Sequence, residues 1–285
     1  MKFLKNQSSY QRKLKETVNF FQKRLGPPPE VAVVFGSGLG AGWQARGKVE
    51  RRLAYAKIPH FTPVAVKGHA GSLGLSPRGN SRSLSLLSLQ GRRHYYEGLD
   101  PWEVVFPIRA LAAWGVKRLV LTNASGSLNP RLRPGSLVAL KDHINLMGFN
   151  PLMGPNLKEF GPRFPSLQNL YENPWTRRIK QVAKTCGLKM ASGIYVAISG
   201  PSYETPAEVA AFRKLGGDLV GMSTVPEAIV AAHSGMEVAA LAAVTNSCVV
   251  KGPAPNHEAV LRHAKKVDDQ LTKLLLRLQR EGIKS

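Results

Sequence analysis

Leu14, Val18, Phe21 and Leu25 recur at intervals of three and four residues, with lysine, glutamine, glutamate and asparagine between them. That spacing predicts an amphipathic helix over about 9–25, and GPPPE (26–30) ends it. The pattern then changes. VAVVF (31–35) is a short, unbroken β-branched run and predicts a buried strand. SLSLLSL (83–89), RLVLT (118–122), LVALKDHI (137–144), IYVAIS (194–199), DLVGM (218–222) and EVAALAAVT (237–245) predict further strands. A helix is predicted over 101–115, with Pro101 near its start and Gly115 at its end. Others are predicted at 205–215, 225–234 and about 257–280. In the last, Val260, Ala264, Val267, Leu271, Leu274 and Leu278 share one face. A Pro- and Gly-rich stretch separates the 137–144 strand from Pro174. Strands alternating with helices predict an α/β sandwich on a largely parallel sheet. No linker divides it, so one domain is expected over 1–285.

Composition narrows the function classes. With 285 residues, 43% hydrophobic and 20% charged, the chain is long enough to bury a real core. Cys186 and Cys248 have neither metal-ligand spacing nor a disulfide pattern, which fits a reducing compartment. MKFLKNQSSYQRKLKE lacks the apolar core of a signal peptide. VAALAAV (238–244) falls far short of the roughly 18 residues of a membrane span. A soluble, cytoplasmic protein with no membrane partner is therefore expected. The formal net charge of +22 favours polyanions as a prior. The lysines and arginines are scattered, however, and no zinc pattern, repeat or low-complexity tail accompanies them. A basic surface that draws in small anions is the expectation, with nucleic-acid binding as the non-enzyme alternative.

Candidate chemistry collects where predicted strands end, the usual place for ligands in α/β sheets. GSGLG (36–40) follows the first strand. Its small residues let backbone N–H groups approach an anion, and Ser37 adds a hydroxyl. It matches neither the dinucleotide fingerprint nor a nucleoside triphosphate loop, and by itself it is equally a tight turn. KGHAGSLG (67–74) sets His69 between glycines. In QGRRHYYEG (90–98), an extended chain would turn Arg92, His94 and Tyr96 to one side and Arg93 and Tyr95 to the other. Arginine and histidine together suit a phosphate; a surface strand with snorkelling basic residues is the alternative. In GMSTVPEAIV (221–230), Thr224 and Glu227 have capping-box spacing and Pro226 falls in the first turn. Ser223 then lies beside a helix N-terminus, where anions are favoured. Asn246 ends a hydrophobic strand, Tyr203 and Glu204 precede a helix, and Asn256 and His257 open one. Each of these also has a capping or packing explanation.

Taken in order, GSGLG, KGHAG, QGRRHYYEG, TNASGSLNP, KDHINLMGFNPLMGPN, FGPRFP, GPSYET, GMSTVPE, TN and NHEAV resemble the trimeric class of purine nucleoside phosphorylases. The resemblance spans roughly 10–280. It implies a single α/β domain with a mixed, barrel-like sheet flanked by helices, and a homotrimer. The implied reaction is reversible phosphorolysis of 6-oxopurine (2′-deoxy)ribonucleosides to a base and (deoxy)ribose 1-phosphate. It needs no metal and no cofactor, because inorganic phosphate is a co-substrate. Carried over, Ser37, Arg92, His94, the Ala124 backbone and Ser223 would hold phosphate, with His69 beside them. Tyr96, Tyr203, Met222 and His257 would meet the ribose, and Phe164 would reach a neighbouring subunit's ribose pocket. Glu204 and Asn246 would bind the purine next to Ser125 and Gly126. Asn246, His94 and Glu204 would carry the catalysis. The chain departs from the family at Ser125 and Ser127, where Ala and Gly are common, and at Tyr203, where Phe is usual. Xanthosine-type and methylthioadenosine-type phosphorylases are the alternatives, and Asn246 speaks against the second.

Overall fold

In the computed structural model, which describes residues 7–64, 70–249 and 257–283, the N-terminal stripe forms α1 (Gln7–Leu25). Tyr10, Leu14, Thr17, Phe21 and Leu25 are its buried residues. β1 (Val31–Phe35) is buried at every position. Ala32 and Val34 join the core that holds α1, whereas Val31, Val33 and Phe35 join the core that holds Trp43 and Leu271. A strand covered on both faces reads as an unbroken apolar run.

The chain continues through α2 (Ala41–Arg46), β2 (Arg51–Ala54), β3 (Ser72–Ser76), β4 (Leu86–Gln90), α3 (Pro101–Val104), α4 (Phe106–Trp114) and β5 (Arg118–Ser127). Then come β6 (Leu137–Leu146), α5 (Pro174–Thr185), β7 (Ala191–Ile198), α6 (Pro206–Lys214), β8 (Leu219–Gly221), α7 (Val225–His233), β9 (Glu237–Ser247) and α8 (His257–Glu281). Among the described residues the strands form one sheet in the order β2-β3-β4-β1-β5-β8-β7-β6-β9, and β9 returns to pair with β5. β5, β8, β7, β6 and β9 therefore close into a barrel, and β1 to β4 extend from β5 as an open wing. The sheet is mixed. β1 runs parallel to β4 and β5, and β5 to β9, while β5–β8 and β6–β9 are antiparallel.

Several elements differ from the sequence expectation, each for a physical reason. The helix expected over 101–115 breaks at Val105, which sits at φ −94, ψ −1. Pro107 has no N–H to continue the ladder and disfavours helical geometry in the residue before it. β5 runs five residues past the expected strand RLVLT, through Asn123 to Ser127. Asn, Gly and Ser are poor strand formers, but β9 and β8 satisfy their backbone there, with a register shift at Ser125/Gly126. α2, β2, β3 and α5 carried no expectation. α5 was hidden behind the Pro-rich stretch, yet Asn173 caps it by accepting from Thr176 N at 2.9 Å, and Trp175, Ile179 and Val182 form its buried stripe.

Candidate functional site

β5, β8 and β9 all open at their C-terminal ends into one cavity of about 320 Å3. β5 supplies Asn123, Ala124, Ser125 and Gly126; β8 supplies Val220 and Gly221; β9 supplies Thr245 and Asn246. Ser37 enters from the turn after β1, and Arg92, His94 and Tyr96 from the turn after β4. Tyr203 and Glu204 enter from the segment before α6, and Met222 and Ser223 from the β8–α7 turn. Segments far apart in sequence thus deliver to one site most of the residues singled out above.

Arg92 and His94 mark a buried, basic end. Arg92 is 5% exposed. Its Nη1 donates to Thr122 O at 2.6 Å, and its Nε lies 3.1 and 2.9 Å from the two oxygens of Glu227. Gly36 lets this guanidinium approach: a Cβ there would sit 2.8 Å from Thr122 O and 3.3 Å from Arg92 Nη1. His94 stacks on Tyr96, with ring centroids 4.7 Å apart and planes 13° from parallel. Glu97 accepts from His94 N at 2.6 Å and lies 3.4 Å from Nδ1, so that nitrogen carries the proton. Burial lowers the His94 pKa from 6.5, the Glu97 hydrogen bond opposes this, and the Arg92 charge reinforces it. His94 is therefore neutral at pH 7. Burial pushes the Glu97 pKa up, but hydrogen bonds from His94 and the Arg93 charge outweigh it, so the net shift is downward.

The 90–98 segment divides as expected, but not by strand alternation. β4 ends at Gln90, and Tyr95–Glu97 form a 3-10 turn. Arg92, His94 and Tyr96 face the cavity. Tyr95 packs on Phe149 with centroids 4.3 Å apart. Arg93 is not a loose surface residue. It donates to Pro63 O at 2.6 Å and pairs with Glu97 at 2.8 Å, behind His94.

Two other expectations are corrected. Thr224 and Glu227 form no capping box: Thr224 is the residue before α7 but makes no side-chain cap. Glu227 is drawn instead to Arg92, and Thr224 Oγ1 accepts from Asn123 Nδ2 at 2.8 Å. Thr224 holds φ 72, ψ −52, outside the usual regions for a β-branched residue. Such strain costs on the order of 1–3 kcal/mol, and the buried Asn123 bond helps offset it. At the end of GSGLG, the N–H of Gly40 donates to Asp268 of α8 at 2.6 Å, and that of Gly42, just past the motif in α2, donates to it at 2.7 Å. The anion they meet belongs to the protein, and Ser37 alone represents the motif in the cavity lining.

At the other end of the cavity stand an acid and an amide. Burial raises the Glu204 pKa, a backbone hydrogen bond opposes this, and Glu208 adds to the rise. Thr245 Oγ1 lies 3.0 Å from Asn246 Oδ1, and Asn246 Nδ2 lies 3.6 Å from Cys248 Sγ. These contacts fix the amide and leave it one lone pair and one hydrogen. A Cβ on Gly126 would sit 3.2 Å from Asn246 Nδ2 and 2.6 Å from Cys248 Sγ, so glycine keeps this end open. Tyr203 is 40% exposed at the rim. Phe164, at 87% exposure, lines no part of its own chain's cavity. His69 lies outside the described residues. His257 begins α8, but its side chain lies outside the described residues too.

Asn123, Thr245 and Glu227 were not singled out from the sequence. Asn123 and Thr245 stood inside quoted motifs, beside Ala124 and Asn246. Glu227 was noticed, but as a cap.

Residues 30–280 match the family model of the phosphorylase superfamily. Purine nucleoside phosphorylase 1 of Bacillus subtilis is 40% identical over 266 residues, covering 92% of this chain and 96% of the relative. A Schistosoma purine nucleoside phosphorylase crystallised with hypoxanthine superposes with a TM-score of 0.84 at 36% identity, over 95% of this chain and 97% of that one. The Schistosoma mansoni enzyme crystallised with adenosine superposes with a TM-score of 0.85 at 35% identity, over 96% and 98%. A barrel closed through β5 and β9, a cavity with a basic end and an amide end, and likeness over nearly the whole chain agree: this chain belongs to the purine nucleoside phosphorylase family of the phosphorylase superfamily.

Proposed function

We propose that this chain cleaves 6-oxopurine ribonucleosides and 2′-deoxyribonucleosides, inosine and guanosine among them, with inorganic phosphate as the second substrate and no cofactor. The observation that carries this reading is the polarity of one cavity. Arg92, His94, Ser37 and Ser223 line it, and so do Glu204 and Asn246, which are linked to each other through Cys248. Phosphate held by the first group and the Ala124 backbone attacks C1′ as the bond to the base nitrogen breaks. Its charge stabilises the positive charge developing on the sugar. The electron pair of the broken bond stays with the purine, which takes up a proton from water at N7; Asn246 accepts from that N7–H and donates to O6. Tyr96, Met222 and Tyr203 surround the ribose between the two ends, with His257 at its 5′-hydroxyl and His69 beside the phosphate. Ser125 and Gly126 flank the base.

Base preference follows from donors and acceptors. Ionised Glu204 only accepts, which suits the N1–H of hypoxanthine or guanine. Adenine offers a bare N1 and an amino group opposite the amide donor. The solved relatives hold hypoxanthine in one case and adenosine in another, so the preference rests on Glu204 and Asn246. Oligomerisation belongs to the same reading. Leu146 at the end of β6, and Met153 and Phe164 between β6 and α5, are exposed at 42%, 39% and 87%. Arg163 braces that stretch by donating to Leu152 O and Gly154 O at 2.9 and 2.7 Å. This supports a homotrimer in which Phe164 closes a neighbour's ribose pocket. Among the described residues no helix is long and apolar enough to cross a membrane, and a cytoplasmic location is part of the proposal.

The test is base release from inosine, guanosine, xanthosine and adenosine, with and without phosphate. Hypoxanthine and guanine should appear only when phosphate is present. Equal rates on adenosine and inosine would overturn the base preference, and phosphate-independent release would overturn the phosphorolytic reading.

A further inference from the structure

Four side chains form a continuous line across the wall of the cavity. Ser125 Oγ donates to Asn123 Oδ1 at 2.5 Å, Asn123 Nδ2 donates to Thr224 Oγ1 at 2.8 Å, and Thr224 Oγ1 lies 3.2 Å from Ser223 Oγ. Asn123, Ser125 and Thr224 are each at most 2% exposed, so water does not compete for these bonds. The line joins the segment beside the base end to the β8–α7 turn at the phosphate end.

Its direction follows from the groups in it. An amide oxygen only accepts, so the Ser125 hydroxyl must give it the proton. An amide nitrogen only donates, so Thr224 Oγ1 accepts and its own proton is free to point onward. The next oxygen is Ser223 Oγ. If Thr224 donates there, the Ser223 proton is released toward the cavity, where an anion would take it. The phenol of Tyr195 borders this arrangement and accepts from Ser223 N at 3.4 Å. It touches the Ser223 and Thr224 side chains, and burial holds its pKa at about 12, so it remains a protonated partner for the pair. The strained φ 72 of Thr224 brings its hydroxyl to Asn123 rather than to a cap.

We infer that Ser125, although beside the base, is a positioning residue for phosphate: through Asn123 and Thr224 it orients the Ser223 hydroxyl as a donor to the anion. The inference rests on the reading that Ser223 holds phosphate. The reverse direction would follow from turning the Asn123 amide over. Ser125 would then offer its proton to the base, and Ser223 would present only lone pairs to an anion, which is unfavourable. Hydrogen bonds in such a line polarise one another, so losing the first weakens the last.

Steady-state kinetics with phosphate and inosine varied independently test this on Ser125→Ala, Ser223→Ala, the double variant and Ser125→Cys. Ser125→Ala should raise the phosphate KM about tenfold, with the inosine KM within about twofold of the parent. A general structural defect would move both. Ser125→Cys refills the volume with a weak donor and should stay near the alanine value. If the line acts through Ser223, Ser125→Ala should add nothing once Ser223 is alanine. A shift mainly in the inosine KM, full additivity in the double variant, or recovery by cysteine overturns the inference. An unchanged phosphate KM in Ser223→Ala instead overturns the phosphate assignment itself. A shift in Ser223→Ala with none in Ser125→Ala overturns only the line.

Discussion

The two ends of the cavity are built differently. At the basic end the polar side chains hold one another: Arg92 pairs with Glu227, Glu97 accepts from His94 N, and Arg93 pairs with Glu97. The Arg92–Glu227 pair ties the turn after β4 to α7, and the other contacts brace that turn internally. At the amide end, Tyr203 and Glu204 stand on a rim before α6, and neutral groups make the contacts: Thr245 lies 3.0 Å from Asn246, and the Cys248 thiol lies 3.6 Å from Asn246 and 3.9 Å from Glu204. A small, doubly charged co-substrate can be met by a prebuilt cradle. A nucleoside must enter and its base must leave, which suits a more open end. Preorganisation is concentrated where charge is handled, the place where it lowers a barrier most.

The cross-linking at the basic end makes its variants the most damaging. Arg92→Ala removes the guanidinium proposed to hold phosphate and leaves Glu227 buried at 4% exposure without its cation. Leaving such a charge unpaired typically costs about 3–5 kcal/mol. Arg92→Ala is therefore expected to lower the melting temperature and to raise the phosphate KM by on the order of 100-fold, a little under 3 kcal/mol. Arg93→Ala loosens Glu97 behind His94 without exposing a charge to the anion. Its phosphate KM should rise by less than about fivefold, about 1 kcal/mol, because Arg93 faces Pro63 and Glu97 and does not line the cavity. Thermal melts and phosphate titrations on both variants check this, and equal effects would erase the division of the segment into a cavity side and a support side.

Asn246→Ala probes the opposite end. It removes the donor and the acceptor proposed to meet the leaving base and exposes no buried charge. Turnover should fall about 100-fold or more, from the roughly 2.7–4 kcal/mol that one such donor contributes, with the melting temperature near that of the parent. Near-normal kcat for inosine would refute the role given to Asn246. A large loss of stability would show that the amide end is as tightly built as the basic one.

The same contrast explains what the sequence made legible. Ser37, Arg92, His94, Tyr96, Tyr203, Glu204, Met222, Ser223 and Asn246 follow or precede apolar runs, so their place at strand and helix ends could be read. What holds them could not. Glu227 and Thr224 have capping-box spacing, and local pattern alone favours the cap. Arg92 lies 135 residues from Glu227 and Asn123 lies 101 from Thr224, and these distant partners win. β5 extends over NASGS for the same reason, since β8 and β9 supply what local propensity does not. The periodic helices α1 and α8 were read almost to their ends because their faces bury against one core each. β2 was missed because RRLA is an edge strand with mostly exposed, charged positions and no apolar alternation.

The smallest expected effect is at Phe164, and it tests whether the open end is completed from outside. A side chain 87% exposed contributes little to its own chain's fold, so Phe164→Ala should leave the melting temperature unchanged. If the ring closes a neighbour's ribose pocket, the inosine KM should rise several-fold, on the order of 1 kcal/mol for an aromatic contact at a rim, with the phosphate KM untouched. Mixing sharpens the result. A Phe164→Ala chain has an intact cavity but supplies no ring, whereas an Asn246→Ala chain supplies the ring but has an impaired cavity. In a shared oligomer, some intact cavities meet an intact ring, so the apparent inosine KM should fall back toward the parent value as the Asn246→Ala chain is added. If the KM does not move on mixing under conditions that exchange subunits, Phe164 acts within its own chain or not at all, and the open end must close by another route.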